Sequence, residues 1–225
     1  MLKRGFYQVL ALVKKDLLLE FREVDHLVSL LLFGFLLLLL FSFALSVEPD
    51  FMRKMAPGLF WMTILFSSLM MMERSFQREN EGGQWEGLLL TGADPKVLYV
   101  SKMLSNLLFI ILIQVIIFPL MVFLFDLSLT PSLWSIFLLG SLGISSLGTT
   151  YGGLTATLKG GGIMLPLLLF PMLIPVLLAS VKITELTLAH DIFSQREVWF
   201  KLLILFDSVF LLGSILLSDV LFDRS

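Results

Sequence analysis

ERSFQRENEGGQWEGLLLTGADPKVLYVSK, residues 73–102, is a charged, glycine-containing island between two long apolar runs, about Ala56–Met72 and Leu104–Phe125. Each flanking run approaches the roughly 20 apolar residues that a helix needs to cross a bilayer. A polar connection of this length therefore works outside the hydrocarbon. Its order is specific: an Arg/Glu cluster, the pair Gly82-Gly83, Glu86, three leucines, a turn at Pro95, then Lys102 re-entering an apolar helix. This layout suits a helix lying on the membrane surface and docking a soluble partner.

Working outward, the apolar pattern repeats. The 225 residues are 57% hydrophobic and only 15% charged, against about 25% charged in soluble domains. Six segments qualify as spans: about Leu27–Val47, Ala56–Met72, Leu104–Phe125, Leu133–Thr155, Met164–Val181 and Lys201–Leu221. They are too long and too uniformly apolar for alternating barrel strands, so the expected fold is an all-α bundle in one domain, residues 1–225. The apolar run behind Lys3 and Arg4 is broken by Lys14, Lys15 and Asp16 and lacks a small-residue cleavage site, so the N-terminus is expected to stay attached.

Six spans put both termini on one side. Eleven of the 16 Lys and Arg residues fall there, which makes that side cytoplasmic by the positive-inside rule. On it, Phe6, Leu10, Val13, Leu17 and Phe21 recur at three to four residues, as in an interfacial amphipathic helix feeding the first span. On the other side, residues 182–200 read as the longest outer loop, with a possible short surface helix.

The chain offers little catalytic machinery. A net charge of −2 gives no sign of nucleic-acid binding, and the absence of cysteine removes disulfides and thiolate metal sites. There is no Walker A sequence. Gly160-Gly161-Gly162 follows no strand and reads as a tight turn. His190, beside Asp191 in the outer loop, is a weak candidate for holding haem or a metal, and a solvated loop histidine is the plainer reading. Asp207 is sharper, since an ionisable group in a span is a functional candidate by default. The alternative is a shallow acid, roughly 9 Å inside Lys201 at 1.5 Å per residue, pairing with that lysine. Gly148 and Gly152 make a small-xxx-small pair that permits close helix approach, either within the chain or between copies. Pro166, Pro171 and Pro175 punctuate the fifth span as a hinge or as buried irregularity.

Taken in order, the motifs resemble the haem exporter protein B family, the permease subunit of the cytochrome c maturation ABC transporter, within the wider ABC-2 permease group. They are Lys14-Lys15-Asp16 through Glu20-Phe21-Arg22, Ala56-Pro57-Gly58-Leu59-Phe60-Trp61, Arg74-Ser75-Phe76 with Glu79-Asn80, Glu86-Gly87-Leu88-Leu89-Leu90, and Leu165-Pro166 with Pro171 and Pro175. A departure follows Arg22, where Glu23-Val24-Asp25-His26 stands in place of a small residue and a further base. The resemblance implies a bacterial inner-membrane permease without its own ATPase or bound cofactor. A separate ATP-binding subunit, carrying ATP and Mg, would meet Lys15, Asp16, Glu20, Arg74, Arg78, Glu79, Gly83 and Glu86. It also implies a second copy of this chain, a haem-handling membrane subunit and a haem chaperone, with haem as possible cargo. An ABC-2 permease exporting a lipid, polysaccharide or drug is the alternative. A membrane-embedded enzyme would need converging polar groups beyond Asp207 and Gln114.

Overall fold

The computed structural model describes residues 2–44, 49–81, 94–128, 130–155, 161–189 and 193–222. They form seven helices: α1 (Leu2–Arg22), α2 (Val24–Ala44), α3 (Pro49–Glu81), α4 (Pro95–Phe125), α5 (Leu133–Thr155), α6 (Gly161–Leu188) and α7 (Phe193–Phe222). Among the described residues there is no strand. Six helices are long and apolar enough to cross a membrane, with spans Val24–Ala44, Phe51–Glu79, Pro95–Phe125, Leu133–Thr155, Leu167–Leu188 and Gln195–Ser218. The chain is an all-α, multi-pass membrane protein.

Local chemistry explains the helix limits. Asp94 is the N-cap of α4, its carboxylate accepting from the Lys96 backbone N–H at 2.9 Å, and Pro95 takes the first helical position, where no amide donor is needed. The other end of α4 closes at Asp126, which adopts the left-handed conformation (φ 47°). The 31 residues of α4 rise roughly 46 Å, against a hydrocarbon core of about 30 Å. It is therefore longer than the apolar layer is thick, as is the 33-residue α3.

The sequence pattern shortened these helices. Residues 182–200 were expected as an outer loop, but α6 runs on to Leu188 and α7 begins at Phe193. Two features carry the helix past the apolar run. Lys182 pairs with Glu185 at 2.8 Å, and the hydroxyls of Thr184 and Thr187 donate to the carbonyls of Ser180 and Ile183 within their own helix. α6 is also helical throughout its passage across Pro166, Pro171 and Pro175.

The bundle is organised around α5. Of its span, 72% is buried, against 17% for the spans of α2 and α7, which lie at the periphery. Aromatic rings fill the core between α3, α4 and α5: Phe137 stacks obliquely on Phe60 (4.8 Å between centroids) and meets Phe118 edge-on (5.0 Å). Trp61, fully buried, donates its indole N–H to Thr184 Oγ1 of α6 at 3.0 Å. The glycines of α5 let α3 approach: a methyl at Gly148 would lie 2.3 Å from Met72 Sδ, and one at Gly152 2.3 Å from the Phe76 ring. Both glycines therefore serve packing between helices of the same chain.

Candidate functional site

Among the described residues, the densest assembly of buried charge lies where the C-terminal parts of α1 and α3 meet the N-terminal part of α4. Its centre is Lys102 of α4, 3% exposed. The Lys102 ammonium donates to Ser75 Oγ at 2.8 Å and pairs with Glu79 Oε1 at 2.8 Å, both on α3, and lies 3.7 Å from Asp16 Oδ2 on α1. Lys15 closes the ring, 3.1 Å from Asp16 and 3.5 Å from Glu79. The Phe76 ring sits beneath the ammonium, 5.3 Å to its centroid. Two cations and two anions thus balance in a site where Asp16 and Glu79 are 6% and 3% exposed. Buried charge is tolerable only in such mutual compensation. A cavity of about 10 Å³ between Lys15, Asp16, Glu79, Lys102 and Ser101 is the size of a single water.

A second set of ion pairs lies beside the first, from Arg74 and Arg78, each one residue before Ser75 and Glu79 on α3, and one turn further along α1. Arg78 reaches Glu20 of α1 at 3.4 Å and Glu23 at 3.2 Å, and Arg74 reaches Glu23 at 3.3 Å. The non-helical Glu23 between α1 and α2 thus receives both arginines. Desolvation raises the Glu23 carboxyl, but the hydrogen bonds and charges of Arg78 and Arg74 outweigh it and hold the group below the ordinary glutamate value of 4.5. Glu20 is pushed the other way: its burial outweighs the charge of Arg78. His26, 8% exposed at the start of α2, has its Nε2 3.6 Å from Glu20.

This geometry fits the amphipathic α1 expected from the sequence and adds which of its residues face the bundle. In the structure Asp16 and Glu20 are buried with Val13, while Phe6, Leu10 and Phe21 are about half exposed or more. The charged edge of α1 faces the bundle because its partners Lys102, Glu79 and Arg78 wait there. Its aromatic face is free to meet the apolar layer.

Of the residues singled out from sequence, the fold brings together Lys15, Asp16, Glu20, Arg74, Arg78 and Glu79. Gly83, Glu86 and His190 lie outside the described residues, as does the stretch 82–93. The acids Asp16, Glu20 and Glu79 point into the chain rather than outward, with their charges met by its own bases. The hub residues Lys102 and Ser75 were missed as members of the site. A single lysine set among Leu98, Tyr99, Met103 and Asn106 was the available signal, since an isolated cation in a buried stretch requires an acid nearby.

Asp207 occupies a separate place. It is 3% exposed and faces α5 and α6, where a methyl at Gly143 would meet its Oδ1 at 2.5 Å and the Val176 side chain at 2.7 Å. The shallow pairing with Lys201 does not form, because Lys201 pairs with Glu197 at 2.7 Å. Since the span begins at Gln195, Asp207 lies roughly 18 Å along it rather than near its end. Among the described residues no group of three metal-ligating side chains comes together.

Comparison with known proteins places this architecture. The CcmB protein family matches residues 7–220, nearly the whole chain. A protein named Heme exporter protein B from Pseudomonas aeruginosa is 32% identical over 169 residues, covering 74% of this chain and 76% of its own length. Proteins of the same name from Rhodobacter capsulatus and Haemophilus influenzae are 31% and 29% identical, each covering 78% of this chain.

Proposed function

This chain belongs to the CcmB protein family, and from that premise we propose that it is the membrane permease subunit of an ABC transporter of cytochrome c maturation. A separate subunit supplies ATP hydrolysis, and the complex either exports haem or releases a haem-loaded chaperone. The observation that carries the coupling role is the buried hub. Lys102, Glu79 and Asp16 lock the ends of α1, α3 and α4 into one unit, on the two helices that residues 82–93 connect in sequence.

An ATP-binding subunit docked on that connection moves α3 and α4 together, because they share one buried charge network. α1 follows through Asp16 and Glu20. Nucleotide-driven closure would then reach the spans as a rigid-body step between discrete arrangements. Arg74, Arg78, Gly83 and Glu86 supply the docking surface in this reading. Lys15, Asp16, Glu20 and Glu79 position it from within. A second copy of the chain completes the transporter in the bacterial inner membrane, with both termini cytoplasmic. Release of the chaperone is the favoured job, because the chain carries no cysteine and only two histidines with which to bind haem.

The test is a mild-detergent purification of tagged protein, with ATPase activity and haem absorbance read on the same fractions. An ATPase subunit together with haem-handling partners is expected, with Lys102→Met retaining the ATPase subunit but uncoupling hydrolysis from haem release. An ATPase subunit alone would point to an exporter of another substrate. Stoichiometric haem on the isolated chain, abolished by His190→Ala, would overturn the preference for chaperone release.

A further inference from the structure

A cavity at the end of the bundle remote from the Lys102 hub has no part in the coupling reading. It measures about 510 Å³ and is walled by the first turns of α3, the residues that close α4 and the end of α6. Small-ligand sites usually enclose about 300–1,000 Å³. The three walls meet where the apolar spans end: that of α3 begins at Phe51, that of α4 stops at Phe125 and that of α6 at Leu188. The cavity therefore lies at the boundary between hydrocarbon and water. One turn deeper than its Pro57 wall, Trp61 donates its indole N–H to Thr184 Oγ1 at 3.0 Å, and both residues are buried. That contact ties α3 to α6 below the cavity.

The lining is of two kinds. Pro57, Leu127, Leu188 and Ala189 present apolar surface, whereas Arg53, Lys54, Asp126 and Glu185 are charged. Arg53 pairs with Asp126, and Glu185 with Lys182. Lys54 has neither a hydrogen bond nor an ion pair among the described residues. The two pairs cancel, so the rim carries one uncompensated positive charge. Asp126 closes α4 with φ 47°, in the left-handed conformation that favours glycine. A glycine in its place would leave Arg53 without an acid. On either side of this charged rim, large apolar side chains are exposed. Phe51 and Met55 flank Arg53 and Lys54 on α3, and Phe123 stands one turn before Leu127.

A cation without a counter-ion, set between apolar walls at the membrane boundary, matches an amphiphile whose head bears a single negative charge. A phosphodiester supplies that charge, and acyl chains supply the apolar part. We propose that this cavity seats the headgroup of a membrane phospholipid. Lys54 meets the phosphate, the carboxylates of Asp126 and Glu185 accept from an amine or hydroxyl of the headgroup, and the acyl chains lie along Phe51, Met55 and Phe123. Binding is non-covalent.

The experiment uses the purified full-length chain alone, so it does not depend on the transport reading. The chain is delipidated in detergent and titrated by native mass spectrometry with phosphatidylglycerol, phosphatidylethanolamine, diacylglycerol and glycerol 3-phosphate. The expected result is one phospholipid per chain that binds more tightly than diacylglycerol and is not displaced by glycerol 3-phosphate. Lys54→Gln should weaken that first phospholipid by about fivefold, the scale of one exposed charge pair. Ala189→Trp, which fills the cavity from its edge, should weaken it as well. Both residues are exposed, so both variants are expected to fold. Lys201→Gln is the control, because that exposed cation already pairs with Glu197. Diacylglycerol bound as tightly as phospholipid overturns the phosphate contact. Displacement by an equal concentration of glycerol 3-phosphate makes this a site for a soluble phosphate ester and overturns the lipid. Phospholipid affinity unchanged in Lys54→Gln or in Ala189→Trp leaves only annular lipid and overturns the site.

Discussion

The two ends of the bundle handle charge in opposite ways. At the end bearing the termini, Lys102, Glu79, Asp16 and Glu20 are all nearly inaccessible, and their contacts join α1, α3 and α4. At the other end, ion pairs lie between exposed groups and are mostly local. Lys182–Glu185 spans one turn of α6, Lys201–Glu197 one turn of α7, and Arg53–Asp126 bridges helices, α3 to the end of α4. Water screens exposed pairs and makes each worth little, whereas a buried network fixes the relative position of whatever it joins. One end is therefore built as a single mechanical unit, and the other is left as separate helix ends.

Breaking the hub gives the largest effect. Glu79→Ala removes the nearer anion of the buried Lys102 ammonium, leaving it Asp16 at 3.7 Å and the Ser75 hydroxyl, and is expected to destabilise the chain by about 3 kcal/mol, read from thermal or denaturant unfolding in detergent. The paired change Glu79→Met with Lys102→Met sharpens the point. It should recover most of that stability while still disconnecting α3 from α4, so stability and ATPase coupling separate. Were the single and double variants equally unstable, the charge network would not be what holds this end.

Next in size is the packing that sets the hub's height. Gly152→Ala places a methyl 2.3 Å from the Phe76 ring, one residue from Ser75. The ring must shift, at an expected loss of about 1–3 kcal/mol, with a weakened grip on Lys102. The same substitution at Gly58, where an added methyl meets nothing within 4 Å, is the control.

The second set of ion pairs carries a pH signature. Glu23 is held below its ordinary value by Arg78 and Arg74, so its contribution is fully present above about pH 4.5 and is lost as pH falls through the lowered value. Glu23→Gln should be less stable than wild type at neutral pH, with the gap in melting temperature closing on acidification. Glu20, raised by burial, works with the opposite sign: its neutral form suits the site, and its ionisation weakens the fold as pH rises. The smallest effect belongs to the far end. Lys201→Ala is expected to change stability by about 0.5 kcal/mol or less, and less still at high salt.

What could be read along the chain was whatever depends on long runs of one character. Six spans and the all-α class follow from transfer of apolar surface between water and lipid, which each segment expresses by itself. The order of short motifs sufficed for the family. Segment ends were misread wherever polar residues were satisfied inside the helix, as at Lys182–Glu185 and Thr184. Tertiary structure alone decided which face of α1 is buried, that Lys102 rather than any residue of the 73–79 cluster is the centre of the hub, and that Asp207 has no hydrogen-bond partner among the described residues. The physical reason is the same in all three. Whether a charge is paired, exposed or stranded depends on groups far away in sequence, here Asp16 with Lys102 and Gly143 with Asp207, which only the packing of helices brings within a few ångströms.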